Sequence, residues 1–123
     1  MNSLTKLQAA GRLQNFLIPS LILLNLVFNV AANASFKVSA GSQNLRGFLS
    51  WQVIGNLAGL ITVLTLTWLL KYIPLHVAFP ITTGLAVIGV QIAAGRFFFG
   101  ETISHEQWLG ALFVAAGIIL LGV

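Results

Sequence analysis

An all-α integral membrane bundle of four transmembrane helices, assembled as a dimer, is the architecture this sequence predicts, on three observations. The 123 residues are 58% hydrophobic and only 7% charged, whereas a soluble domain carries about a quarter charged residues. Apolar segments at about 15–35, 49–70, 74–98 and 107–123 each approach the ~20 residues that a spanning helix requires. The linkers between them, KVSAGSQNLRGF, KYIP and FGETISHE, are short and either polar or rich in helix breakers, so neighbouring helices run antiparallel. Residues 1–123 thus read as one membrane domain.

The first span follows a weakly amphipathic lead-in, MNSLTKLQAAGRL. Lys6 and Arg12, an apolar run and then ANA before Ser35 imitate a secretory signal with its small-residue cleavage site. Asn25 and Asn29 interrupt that run, so it is read as a retained span. The second span carries Gly55 and Gly59 in GNLAG, a spacing that permits close backbone approach. The third contains Pro80, which removes a backbone donor and frees carbonyls that only a buried or wet lining tolerates. In the fourth, Gly110 and Gly117 share one face, with Ala111, Ala115 and Ala116 nearby; such spacing serves either packing within the monomer or a dimer contact, and the dimer contact is the favoured reading. Trp51, Trp68 and Trp108 lie near span ends, where indole favours the interface.

Charge excludes several functions. The net charge of +4 comes from scattered Lys and Arg with no basic stripe, which argues against nucleic acid as a partner and favours membrane lipid phosphates. Lys6, Arg12 and Lys71 fall on one side of the four-span topology, and Lys37, Arg46 and Arg96 on the other. That balance gives the positive-inside rule nothing to act on, so the chain either inserts both ways and pairs as an antiparallel dimer or takes one orientation set by a partner or by charge position. Without Cys there is no disulfide or thiol nucleophile. No metal-ligand cluster, Gly-rich phosphate loop or Ser–His–acid set is legible, so neither a cofactor, a metal nor an enzymatic activity is expected.

The polar residues inside the spans carry the functional signal. Asn25, Asn29 and Asn33 recur at intervals of four and lead to Lys37. Each step advances about 40° around a helix, and the whole stripe rises about 18 Å. An unpaired amide in hydrocarbon costs about 2–7 kcal/mol, while an interhelical hydrogen bond returns about 1 kcal/mol. The stripe therefore faces other helices or a hydrated cavity. Gln52 and Asn56 in the second span, and Thr82, Thr83 and Gln91 in the third, are companions that favour the cavity. No carboxylate lies within a span, so the usual intramembrane proton carrier and cation ligand is missing. His76 stands near an interface and reads as solvated; Lys71 and Arg96 can snorkel to headgroups. Glu101 and Glu106, just before the last helix, read as structural carboxylates at a helix N-terminus.

YIPLHVAFPITTG followed by FFFGETISHEQWLGALFVAAGIILLG resembles the drug/metabolite transporter superfamily in its four-helix, small multidrug resistance-like form. The resemblance covers residues 15–123 and implies that family's bundle. The exporters of that family use a first-helix glutamate eight residues before the Lys; Asn29 stands there, which argues against proton-coupled drug export. Phe79 and Thr82 replace their third-helix Tyr and Trp. The chain is more similar to the small paired subunits that flip 4-amino-4-deoxy-L-arabinose-phosphoundecaprenol, through Ala78-Phe79-Pro80, through Glu101, Ser104, Trp108 and Gly110, and through Asn33 and Lys37 in the first helix.

That resemblance implies a flippase of the bacterial inner membrane, moving a polyprenyl-phosphate-linked sugar between leaflets by alternating access. The partner would be a second copy, antiparallel or not, or a similar subunit in a heterodimer. Asn25, Asn29, Asn33, Gln52, Asn56, Thr82 and Gln91 would line the headgroup path, and Lys37, with Arg46 or Lys71, would hold the phosphate. The alternatives are an exporter of drugs or small metabolites, and an accessory subunit of a larger membrane complex.

Overall fold

The computed structural model describes residues 2–122, apart from the side chains of 96–98 and 122; the expected role of the Arg96 side chain therefore lies outside the described residues. Four α-helices follow in order: α1 (Ser3–Ala40), α2 (Leu45–Leu69), α3 (Leu75–Ile92) and α4 (His105–Gly122), with a π-helical turn, Ala93–Phe98, extending α3. Among the described residues there is no strand. Three of the helices are long and apolar enough to span a bilayer, and the fourth contributes a shorter apolar stretch, His105–Leu121. Large apolar side chains such as Leu23, Phe113 and Leu120 point outward, as a lipid solvent allows.

The helix ends follow from local chemistry. The Asn2 side chain accepts from the Thr5 amide at 2.8 Å, so the lead-in is already helical and α1 begins well before the apolar segment. Its 38 residues give a rod of about 57 Å, longer than the ~30 Å hydrocarbon layer. No strong breaker follows Pro19 until Gly41 ends the helix, and Lys37 sits favourably in its last turn. Asn44 caps α2 by accepting from the Gly47 amide at 2.7 Å. At α4, the Ser104 hydroxyl accepts from the Gln107 amide at 3.2 Å while the Gln107 side chain accepts from the Ser104 amide at 2.9 Å, a reciprocal capping box.

Packing is closest where side chains are small. α1 and α2 run antiparallel, with Ala32, Ser35 and Ser39 of one against Gly55, Ala58 and Thr65 of the other buried between them. A Cβ at Gly55 would lie 2.5 Å from the Phe36 ring, so this glycine serves packing within the chain, whereas Gly59 has open space beside it. α3 approaches α1 through Gly89, where a Cβ would meet Leu26 at 2.8 Å and Val30 at 3.2 Å. α4 lies against α3, with Ile118 seated on Gly84. Gly110 and Gly117 face open space. The apolar core, Leu21, Leu69 and Ala78 with Ile18, Leu66 and Tyr72 around them, gathers at the α2–α3 end. The polar lining lies farther along α1, toward the α1–α2 and α3–α4 connections.

Candidate headgroup path and ion-pair site

The three first-helix amides form a relay along α1. Asn25 is 3% exposed, and its Nδ2 donates across to α2, to the Thr62 carbonyl at 2.9 Å and the Thr65 hydroxyl at 3.1 Å. Asn29 Nδ2 donates to Asn25 Oδ1 at 2.9 Å, and Asn33 Nδ2 donates to the Asn29 carbonyl at 2.8 Å. The stripe turns as it rises. Asn25 is locked between helices, Asn29 is half-buried and Asn33 is exposed. One sequence pattern thus contains an interhelical clamp at one end and, at the other, an exposed amide bonded to its own helix.

The stripe borders two chambers in succession. Asn25 and Asn29 meet Thr62, Phe79, Thr82 and Thr83 around about 210 Å³. Farther along, Asn33 and Lys37 meet Val90, Ala94, Phe99 and Glu101 around about 170 Å³. The close approach at Gly89 brings the end of α3 beside these residues. Thr82 is buried, and its hydroxyl donates to the Ala78 carbonyl of its own helix at 2.9 Å, which leaves an acceptor lone pair toward the first chamber.

Glu101 reaches Lys37 because of the backbone before α4. Gly100 takes φ +60, the only positive φ among the described residues, a conformation that costs glycine nothing. The Glu101 amide then donates to the Ala94 carbonyl at 3.2 Å, and Ile103 seats against Gly95. This folds the connection back over α3, and Glu101 Oε1 lies 3.0 Å from Lys37 Nζ. The side chains remain 57% and 45% exposed, so the pair is open to exchange. Glu101 also borders a third chamber of about 240 Å³ with Gln91, Thr102 and Gln107. There the Gln91 side chain donates to the Gln107 carbonyl at 3.2 Å.

The remaining candidates are more scattered. Gln52 donates to the buried Ser39 hydroxyl at 3.2 Å, and Asn56 donates to the Gln52 carbonyl at 2.7 Å, so both are engaged with neighbours and Asn56 is exposed. Arg46 stands exposed in the first turn of α2, at the same end of the bundle as Lys37. Lys71 lies in the α2–α3 connection, at the opposite end, so the three cations are not gathered at one point. Glu101, read from sequence as a helix-terminal carboxylate, is the site residue that reading missed. Its signal is its rarity, since it and Glu106 are the only acids in the chain.

Behind the stripe runs an apolar groove of about 630 Å³, lined by Leu26, Val30, Ala34, Trp51, Gly89 and Phe99 among others. Val30, Ala34 and Phe99 also line the Asn33–Lys37 chamber, so the polar and apolar spaces share a wall.

Comparison with known proteins agrees with this architecture. The family model described as Small Multidrug Resistance protein matches residues 17–120. The chain is 36% identical over 91 residues to the probable 4-amino-4-deoxy-L-arabinose-phosphoundecaprenol flippase subunit ArnE of Hamiltonella defensa, covering 74% of this chain and 77% of that one. It is 31% identical over 98 residues to the spermidine export protein MdtI of Klebsiella pneumoniae, covering 78% and 84%. It is 29% identical over 99 residues to MdtI of Escherichia coli, covering 80% and 85%. No solved structure matches. A match that takes in all four helices, on a chain with this helical order, makes the protein a multi-pass membrane transporter of the small multidrug resistance family.

Proposed function

We propose that this transporter moves a polyprenyl-phosphate-linked sugar between the leaflets of a bacterial inner membrane. The observation that carries the reading is the shared wall between the apolar groove and the Asn33–Lys37 chamber. A lipid carrier needs a polar route for its headgroup only, because its tail stays in hydrocarbon. Asn29, Asn33, Thr82 and the neighbouring amides offer donors and acceptors to sugar hydroxyls, and Lys37 offers a charge to the phosphate. The name of the ArnE relative supports this cargo class. A dimer formed through the open Gly110 and Gly117 face of α4, with a second copy or a similar subunit, would enclose the path and alternate its access.

The test is flipping in proteoliposomes of a fluorescent short-chain polyprenyl-phosphate sugar, read by a membrane-impermeant quencher. Protein should speed loss of the protected signal, and Lys37→Ala should return it toward the protein-free rate. A second reading, export of a soluble polyamine, is favoured by the spermidine exporters among the relatives. Spermidine uptake into the same vesicles with no lipid flipping would select it and refute the first.

A further inference from the structure

Along α2, Leu49, Val53, Asn56, Leu60, Val63 and Thr67 succeed one another at alternating intervals of four and three residues, and all of them are exposed. This is the repeat of a coiled-coil seam, which keeps one stripe turned toward a neighbouring helix. The stripe turns away from Gly55, Ala58, Thr65 and Leu69, the buried residues of α2. Asn56 stands near the middle of the helix, hence near mid-bilayer depth. Its Nδ2 donates to the Gln52 carbonyl at 2.7 Å, and among the described residues its Oδ1 accepts no hydrogen bond. It borders neither the groove nor any of the chambers described above. A second exposed face of α2, with Ile54, Leu57 and Leu64, is apolar, as contact with lipid requires.

We infer that this seam binds the same seam of a second copy of the chain, and that Asn56 pairs with its counterpart across the contact. Asn56 thus serves assembly rather than the headgroup path. Hydrocarbon offers an amide neither donor nor acceptor. An amide carries both, so it is its own complement, and two Asn56 side chains can exchange hydrogen bonds across a two-fold axis. A single polar residue in an apolar seam fixes register and the choice of partner in this way. Because Asn56 lies near mid-depth, a copy in either orientation brings its own amide to nearly the same level. Val63 belongs both to the seam and to the wall of the Asn25–Asn29 chamber, so a copy seated here also borders that chamber. α4 stands at the other edge of the bundle, packed on α3. The α2 contact is therefore separate from the one through Gly110 and Gly117, and it holds whatever the cargo.

The chain has no Cys, so single-Cys variants report on chosen positions. The experiment reconstitutes Leu60→Cys, on the seam, and Ile54→Cys, on the apolar face, in liposomes over a range of protein densities. A short bifunctional thiol reagent then links neighbours. Leu60→Cys should give a cross-linked pair at densities where Ile54→Cys stays single. Adding Asn56→Leu to Leu60→Cys should raise the density needed for half-maximal linking about tenfold, the scale of two interhelical hydrogen bonds. Among the described residues Asn56 bonds only within α2, so the substitution leaves the fold intact. Equal linking at the two positions means that the seam faces lipid and overturns the contact. A density unchanged by Asn56→Leu overturns the role of the amide. Linking in cell membranes to a protein of different mass, with none between purified copies, overturns the second copy as the partner.

Discussion

Replacing Asn25 with Leu tests whether the amide stripe has the division of labour described above. Asn25 is 3% exposed and donates to α2 twice, at 2.9 and 3.1 Å. Interhelical hydrogen bonds in membrane proteins contribute about 0.6 kcal/mol on average and up to about 1.7. Two of them give about 1–2 kcal/mol, or roughly a 5- to 30-fold change in the folded-to-unfolded ratio. Little is orphaned by the change. The Thr65 hydroxyl still donates to the Thr62 carbonyl at 2.9 Å, and Asn29 faces a chamber where water can replace its lost acceptor. Leu keeps the branching of Asn but is the bulkier side chain, so any overpacking at this buried position adds to the loss. Asn33→Leu is the matched control, because Asn33 is exposed and, among the described residues, bonds within α1. It should change stability by less than about 0.5 kcal/mol while slowing headgroup movement. Reversible unfolding of both variants in mixed micelles, followed by circular dichroism, gives the comparison. An Asn25→Leu protein as stable as wild type, or an Asn33→Leu protein destabilised as much as Asn25→Leu, would refute the assignment of clamp and path.

Three further outcomes are expected. Gly55→Ala should destabilise the chain by about 1–3 kcal/mol, because its Cβ meets the Phe36 ring, whereas Gly59→Ala, beside open space, should leave unfolding unchanged; equal effects would remove the distinction between the two glycines. Gly117→Leu should leave the unfolding of the isolated chain unaltered but reduce the dimer fraction in cross-linking, and an unaffected dimer would move the contact away from this face of α4. Adding Lys to the first connection by Gln43→Lys breaks the balance of Lys6, Arg12 and Lys71 against Lys37, Arg46 and Arg96. C-terminal topology reporters should then shift toward the orientation with that connection in the cytoplasm, and no shift would mean that something other than charge fixes the topology.

Composition placed this chain in a membrane, and four apolar segments of spanning length joined by short linkers made it four antiparallel helices, because segments of that length satisfy the backbone in hydrocarbon as helices. The spacing of Asn25, Asn29 and Asn33 likewise announced a face that lipid cannot solvate. Helix starts were less legible. Asn2, Asn44 and Ser104 extend the helices beyond the apolar windows through caps whose value hydropathy does not register.

The use of each polar residue was decided by tertiary structure. Nothing in the repeat distinguishes Asn25 from Asn33, since a stripe turning about 40° per step passes from a neighbouring helix to open space, and only the position of α2 sets where that happens. Nor does the sequence tie Lys37 to Glu101, which are far apart in the chain. Their meeting depends on α3 approaching α1 at Gly89 and on the connection folding back at Gly100. A charge's partner is a long-range property, fixed by packing that no local pattern encodes.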